Sequence, residues 1–341
     1  MLNANKFPVT LNLKSNRGRE LLLQMVRRAD VLVENFAPGV MDRLELDWER
    51  LRAANPRLIY ASSSGFGSSG PNRDFPAMDL TVQAMSGVMS VTGFEDRPPV
   101  KAGPALCDFF AGTHLYGAIT TALYEREKTG SGRRVEVSMQ EAVYASLASN
   151  LGLYFSSGGE VPLRTGNRHG GLAESPYNVY PTIDGWIAIL CAGEEQWKSL
   201  TRVMGRPELA ADPRFVDLAA RVRHMDEVDA VVSAFSGTQE KARLFDRLVS
   251  AHIPCAPVRD LSDVVHDEHL HQRGFLQWID HPMLGRIVVP NSPLRFMDTP
   301  LTRHVPSRDL GADNRAVYGE WLGLPPEAIA ELEQQGVISR T

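Results

Sequence analysis

Short apolar runs alternate with amphipathic stretches through the first part of the chain. Residues 7–13 (FPVTLNL) alternate apolar and polar positions and predict a strand. Residues 17–29 predict a helix whose apolar stripe is Leu21, Leu22, Met25 and Val26. Residues 31–33 and 58–61 read as short buried strands, with an amphipathic helical stretch between them over 38–55. Further helices are predicted over 80–91, 110–127 and 140–154, and a strand over 133–138. Short apolar strands alternating with helices argue for parallel βαβ units with right-handed crossovers.

The texture changes near 156–159, where Pro, Gly and Asn begin to cluster as far as Asn178. Residues 178–190 then read as a hairpin with Asp184-Gly185 at its turn. Helical patterns follow over 194–204, 227–235 and 239–251, then a strand over 255–258. After 286–290 the chain is Pro-rich up to Pro306 and closes on a helix over 327–335. The fold class expected is α/β: a large domain over 1–155 with a doubly wound, mostly parallel sheet. A linker over 156–175 leads to a smaller α+β domain over 176–285. A return segment over 286–341 then packs its C-terminal helix on the large domain.

Composition narrows the function classes. Hydrophobic residues make up 43% and charged residues 23%, an ordinary globular balance. A net charge of −5 gives no support to a nucleic-acid partner. No apolar run approaches the length of a spanning helix, and no signal-peptide pattern opens the chain. Cys107, Cys191 and Cys255 are odd in number and far apart, without disulfide or zinc spacing. A reducing, cytoplasmic setting is expected.

Asp108 is the leading candidate for chemistry. It follows 101–107 (KAGPALC), where an apolar approach delivers one carboxylate to the start of a largely apolar helix. Two readings are open: a helix N-cap, or a nucleophile that carries an acyl group. Residues 65–70 (GFGSSG) match a dinucleotide fingerprint, but Pro71 and Pro76 follow where a helix would have to open. A mobile glycine loop is the better reading. His266, His269 and His271 lack zinc-site order and read as a solvated helix end. His114 reads as a packing histidine and Cys107 as a small buried residue. Asn35 to Gly39, with Arg43 a turn later, lies at the carboxyl end of a strand, where open α/β sheets bind ligands. Pro38 and Arg43 there could meet a phosphate, or form a plain strand-to-helix turn with an exposed arginine.

Several stretches coincide in order: 9–15 (VTLNLKS), 29–44, 55–60 (NPRLIY), 65–67, Asp79 with 83–87 (QAMSG), 103–108, 129–132 (TGSG) and 165–168 (TGNR). Together they resemble the family III CoA-transferases, which include formyl-CoA transferase, carnitine CoA-transferase and the related α-methylacyl-CoA racemase. The resemblance implies a coenzyme A thioester as substrate, no permanently bound cofactor, no metal, and an interlocked homodimer. It implies a reaction that moves coenzyme A from an acyl-CoA to a free carboxylic acid through aspartyl anhydride and aspartyl-CoA intermediates. It carries the nucleophile onto Asp108, and CoA contacts onto Leu11, Asn12, Leu13, Lys14, Asn35, Phe36, Ala37 and Arg43. The glycine loop of the small domain matches Gly170-Gly171 loosely.

Two departures bear on this reading. The racemase branch has a histidine before the aspartate that aligns with Asp79, and here that position is Met78. Racemisation needs two acid/base groups, so transferase is favoured over racemase, and Asp108 in its full motif context favours it over a non-catalytic CoA-binding homologue. The family's first strand–helix unit has no counterpart before Phe7, so weak CoA binding and poor folding of this form are expected. Which acids are exchanged is not legible; Arg168 and His169 suit a dicarboxylate or an ordinary surface equally.

Overall fold

A computed structural model describes residues 2–339. Following the chain, α1 (Asn16–Val26), β1 (Val31–Glu34), α2 (Val40–Arg43), α3 (Trp48–Ala54) and β2 (Ile59–Ser64) come first. Next are α4 (Asp79–Met85), α5 (Val88–Val91), α6 (Leu106–Thr129), β3 (Arg133–Ser138), α7 (Met139–Tyr144) and α8 (Ala148–Ser157). A hairpin, β4 (Tyr177–Thr182) and β5 (Gly185–Leu190), leads to α9 (Glu194–Val203), α10 (Leu218–Arg223), α11 (Met225–Ser236), α12 (Lys241–Ser250) and β6 (Cys255–Pro257). The last elements are α13 (Leu261–Val265), α14 (Glu268–Gln272), β7 (Leu276–His281), β8 (Gly285–Pro290) and α15 (Pro326–Gln334).

The architecture is mixed α/β. One sheet has the order β1-β2-β3, with β1 and β2 parallel and Val31 to Glu34 registered on Ile59 to Ser62. The chain divides into two compact units. One comprises Met1–Ser62, Tyr116–Glu136 and Arg259–Thr341; the other comprises Ser63–Leu115 and Val137–Val258.

In the first unit, α1 starts where Ser15 Oγ accepts the Gly18 N–H, and Asp47 caps α3 in the same way. Val26, Met41, Leu46, Leu51, Leu58 and Tyr60 form a core against which Leu13 and Leu32 pack. A second core joins Leu21 to Tyr318, Ile329, Leu332, Val337 and Ile338, with Val9 and Leu11 against it. That core corrects one expectation: residues 7–13 belong to no strand. Their alternation is satisfied by packing Val9 and Leu11 inward while the backbone binds the far end of the chain. Asn12 N–H donates to the Val337 carbonyl at 2.8 Å, Thr10 N–H to Asn314 Oδ1 at 3.0 Å, and Ser339 N–H to Thr10 Oγ1 at 2.8 Å.

In the second unit, β4-β5-β6 form an antiparallel sheet, and Asp184-Gly185 closes the hairpin as its sequence requires. Its core holds Tyr180, Ile187, Ile189, Trp197, Phe215, Val228 and Leu244. A smaller cluster of Val82, Val88, Cys107, Val143 and Leu147 lies under the start of α6. The helix predicted over 80–91 is broken into α4 and α5. Gly87, at φ +90°, ends one helix and admits the other.

Candidate active site

Asp108 occupies the first turn of the 24-residue helix α6 and is exposed. It is not the cap. The cap comes from a distant element: Asp79 Oδ1, at the start of α4, accepts the Cys107 N–H at 2.8 Å. Asp79 Oδ2 in turn accepts from Gln83 Nε2 at 2.6 Å. Gln83 is fully buried, and its Oε1 accepts the Ala102 N–H at 2.9 Å. The loop that delivers Asp108 is therefore pinned at both ends by two side chains of α4. Lys101 Nζ donates to the carbonyls of Ala102 and Gly103 within the same loop.

The electrostatics of this corner follow from burial and like charge. Burial, and behind it the Asp79 carboxylate, raises the pKa of Asp108 above its ordinary value. The Cys107 thiol is pushed up to about 11 by burial, then by the Asp79 and Asp108 charges. At neutral pH Cys107 is a protonated apolar filler in the cluster around Val143. Among the described residues, neither Asp79 nor Asp108 forms an ion pair with Lys, Arg or His.

The other residues singled out by sequence fall as follows. The glycine loop 65–70 is irregular, and Gly67 N–H donates to Ser64 Oγ at 3.1 Å. Met78 precedes α4 with 74% of its surface exposed, and Thr81 Oγ1 accepts its N–H at 2.9 Å. His114 is exposed rather than packed, its Nδ1 donating to the Phe110 carbonyl at 2.8 Å. His169 Nδ1 accepts from Gly171 N–H at 3.1 Å, fixing the turn at Gly170-Gly171. Arg168 is spent on ion pairs to Asp226 and Asp229. Burial alone would lower its pKa, but these hydrogen bonds outweigh that and raise it. His271 stacks on Trp278, with ring centroids 5.7 Å apart. Among the described residues no group of three His, Cys, Asp or Glu side chains is placed to hold a metal.

The residues at 11–14, 35–37 and 43 all belong to the first unit, but Leu11 packs against the core around Leu21 and Leu13 against the core around Val26. Leu13 packs with Leu32, Met41 and Tyr60. Asn12 and Lys14 point their polar ends outward, and Asn12 Oδ1 accepts the Lys14 N–H at 3.1 Å. At the carboxyl end of β1, Glu34 accepts from Phe36 N–H at 2.7 Å and from Tyr60 Oη at 3.0 Å. Phe36 and Arg43 are exposed, and neither Lys14 nor Arg43 has an ion-pair partner among the described residues.

Sequence reasoning missed the Asp79–Gln83 clamp, although both residues stood in a stretch it had noted. It also missed a cavity of about 710 Å³ in the second unit, lined by Phe94, Arg164, Thr165, Asn167 and Arg168 among others. Arg164 donates there to the carbonyls of Phe94 and Glu95, at 3.2 and 3.3 Å.

Comparison with known proteins gives a consistent result. The sequence profile of CoA-transferase family III matches residues 1–314. A formyl-CoA:oxalate CoA-transferase of Streptomyces avermitilis is 39% identical over 367 residues, covering 99% of this chain and 85% of the relative. An acetyl-CoA:oxalate CoA-transferase of Acetobacter aceti is 40% identical over 296 residues, covering 86% and 74%. The crystal structure of a CAIB/BAIF family protein from Brucella suis superposes with a TM-score of 0.80 at 33% identity, covering 93% of this chain and 82% of that one.

Proposed function

The chain belongs to CoA-transferase family III and is an enzyme acting on acyl-CoA thioesters and carboxylic acids, and we propose that Asp108 carries the acyl group between them. One observation supports this above the rest: an exposed carboxylate, unpaired with any described cation, stands in the first turn of a long helix on a loop clamped at both ends.

The steps close without an external co-reactant. Asp108 attacks the thioester carbonyl, the C–S bond breaks, and the CoA thiolate leaves behind a mixed anhydride. The thiolate then attacks the aspartyl carbon and expels the donor acid, leaving an aspartyl-CoA thioester. The acceptor carboxylate repeats the sequence in reverse, so a second anhydride yields the new acyl-CoA and restores Asp108. Each intermediate is an activated acyl derivative, so the thioester's free energy is retained. A serine ester in the same place would dissipate it. Backbone donors are needed where oxyanions develop, and the loops at 65–70 and 170–171 are the groups assigned to that role. Closure of such a loop would shield the anhydrides from water.

Coenzyme A is assigned to Leu11, Asn12, Leu13, Lys14, Asn35, Phe36, Ala37 and Arg43, with Arg43 toward the phosphates. The large domain is read as doubly wound and the active form as an interlocked homodimer. The apolar rings left exposed along α6 and α8, among them Phe109, Tyr116, Tyr124 and Phe155, support a partner copy. A cytoplasmic setting is supported by three unpaired cysteines. No described helix is long and apolar enough to cross a membrane.

The test is a transfer assay with formyl-, acetyl- and succinyl-CoA as donors and oxalate among the acceptors, the compounds for which relatives are named. Asp108→Ala and Asp108→Asn abolish transfer while CoA binding survives. Hydroxylamine added to enzyme incubated with acyl-CoA converts Asp108 to a hydroxamate, read by peptide mass spectrometry. Transfer retained by Asp108→Ala removes the assignment.

A further inference from the structure

We propose that Asp79, held by Gln83, is a positioning residue for Asp108, fixing the loop and the helical turn from which the acyl carrier projects. The inference rests on the reading of Asp108 as that carrier. The hydrogen bonds run with one polarity. Ala102 N–H and Cys107 N–H can only donate, so Gln83 Oε1 and Asp79 Oδ1 must accept. This forces Gln83 Nε2 toward Asp79 Oδ2, at 2.6 Å. Asp79 thus accepts on both oxygens. Gln83 is fully buried, so its amide cannot be satisfied by water if the pair is broken.

The same polarity makes an exchanged pair possible. In the double variant Asp79→Asn/Gln83→Glu, the carbonyl oxygen of the introduced amide accepts from Cys107. Its NH2 group donates to the introduced carboxylate, whose other oxygen accepts from Ala102. Every bond survives, and one negative charge remains in the pair. Neither single substitution achieves this. Asp79→Asn sets two amide donors against each other. Gln83→Glu sets two carboxylates against each other, which holds only while they share a proton. The charged and titratable groups of this corner are Asp79 on α4, Asp108 and Cys107 on α6, and Lys101 on the lead-in loop.

The experiment measures turnover, CoA dissociation constants by calorimetry and thermal midpoints for both single variants, the exchanged pair and Asp108→Ala. A misplaced reacting group costs on the order of a hundredfold, so each single variant should lose between about ten- and a hundredfold in kcat. CoA affinity should stay within about twofold, since the residues assigned to CoA lie on other elements. Gln83→Glu should lose activity further as pH rises, a limb that the parent protein lacks. The exchanged pair should recover to within about threefold of the parent, with its acid limb moved to lower pH because the charge then sits on the side chain bonded to Ala102 instead of the one bonded to Cys107, the neighbour of Asp108. Folded single variants with parental turnover overturn the proposal. If a single variant fails to fold, the exchanged pair decides alone: parental turnover with the shifted acid limb supports it, and a folded but inactive pair overturns it. Transfer by Asp108→Ala would instead defeat the carrier assignment on which the proposal rests.

Discussion

Arg168 and Asp229 meet through two guanidinium nitrogens, Nε and Nη2 lying 2.8 and 2.7 Å from the same carboxylate oxygen. Asp229 also accepts from Asn178 Nδ2 at 2.9 Å and from Tyr180 Oη at 2.7 Å, tying β4 to α11 and to the turn at 165–168. Its side chain is only 16% exposed, whereas that of Asp226, the second partner of Arg168, is 92% exposed. Removing the first leaves an amide and a buried phenol without their acceptor, and Arg168 with only the exposed Asp226. Asp229→Ala should cost about 3 kcal/mol, and Asp226→Ala less than about 1 kcal/mol. Thermal unfolding followed by circular dichroism checks the contrast, and equal losses would contradict it.

Gly132 sits where β3 begins alongside the segment before β2. Its N–H donates to the Pro56 carbonyl at 2.7 Å, and a Cβ there would overlap the Leu58 carbonyl. Backbone cannot yield as a side-chain tip can. Gly132→Ala should therefore destabilise by about 2 to 3 kcal/mol, seen as a lowered thermal midpoint. An unchanged midpoint would show that the strands part more easily than their spacing implies.

The cysteines should be inert in the native protein. Cys107 is pushed up to about 11 by burial and two carboxylates, Cys191 to about 12 by burial against the opposing Arg221 charge, and Cys255 to about 11 by burial. Iodoacetamide at pH 7.5 should leave Cys107 and Cys191, both wholly buried, unmodified, and guanidinium should expose all three. Peptide mass spectrometry reads the outcome; fast native labelling of Cys107 would mean that the start of α6 opens.

Asp108 should carry a pH signature in both rate and stability. Its pKa is raised in the fold by burial and then by Asp79. The nucleophile must be ionised, so kcat/KM should fall on the acid side at a higher pH than an ordinary carboxylate would give. In stability the sign is opposite to that of a salt-bridged aspartate. The folded state favours the protonated form, a stabilisation present below the ordinary carboxylate pKa and lost as pH rises through the raised one. Asp108→Asn should then melt higher than the parent at pH 7, by no more than about 2 °C because the group is exposed. The gap should close below the ordinary pKa of 3.8. A lower midpoint for Asp108→Asn at pH 7 would reverse this account.

Much of the fold was legible where local signals are strong. The stripe of α1, the Asp184-Gly185 turn and the apolar run of β1 each depend on residues close in sequence. Asp108 stood out as a lone carboxylate at the head of an apolar helix, while its reading as the nucleophile came from the family resemblance. What could not be read were relations set by distance. The cap of α6 comes from Asp79, 28 residues away, and a carboxylate at a helix start looks the same whether it caps its own helix or another's. Residues 7–13 carry strand periodicity, yet their partners are at 314 and 337–339 and offer side chains as well as backbone. Strand β7 escaped notice because a six-residue segment with Gln277, Asp280 and His281 shows little apolar alternation.

The contacts of residues 10–12 with residues 337–339 also order events during synthesis. A core that needs Leu21 together with Val337 and Ile338 cannot close until residues 337–338 have left the ribosome. The unit made of Ser63–Leu115 and Val137–Val258 has all its segments some eighty residues earlier. Synthesis should therefore yield a folded second unit while the first still exposes half of its core, which makes that interval the one most exposed to aggregation.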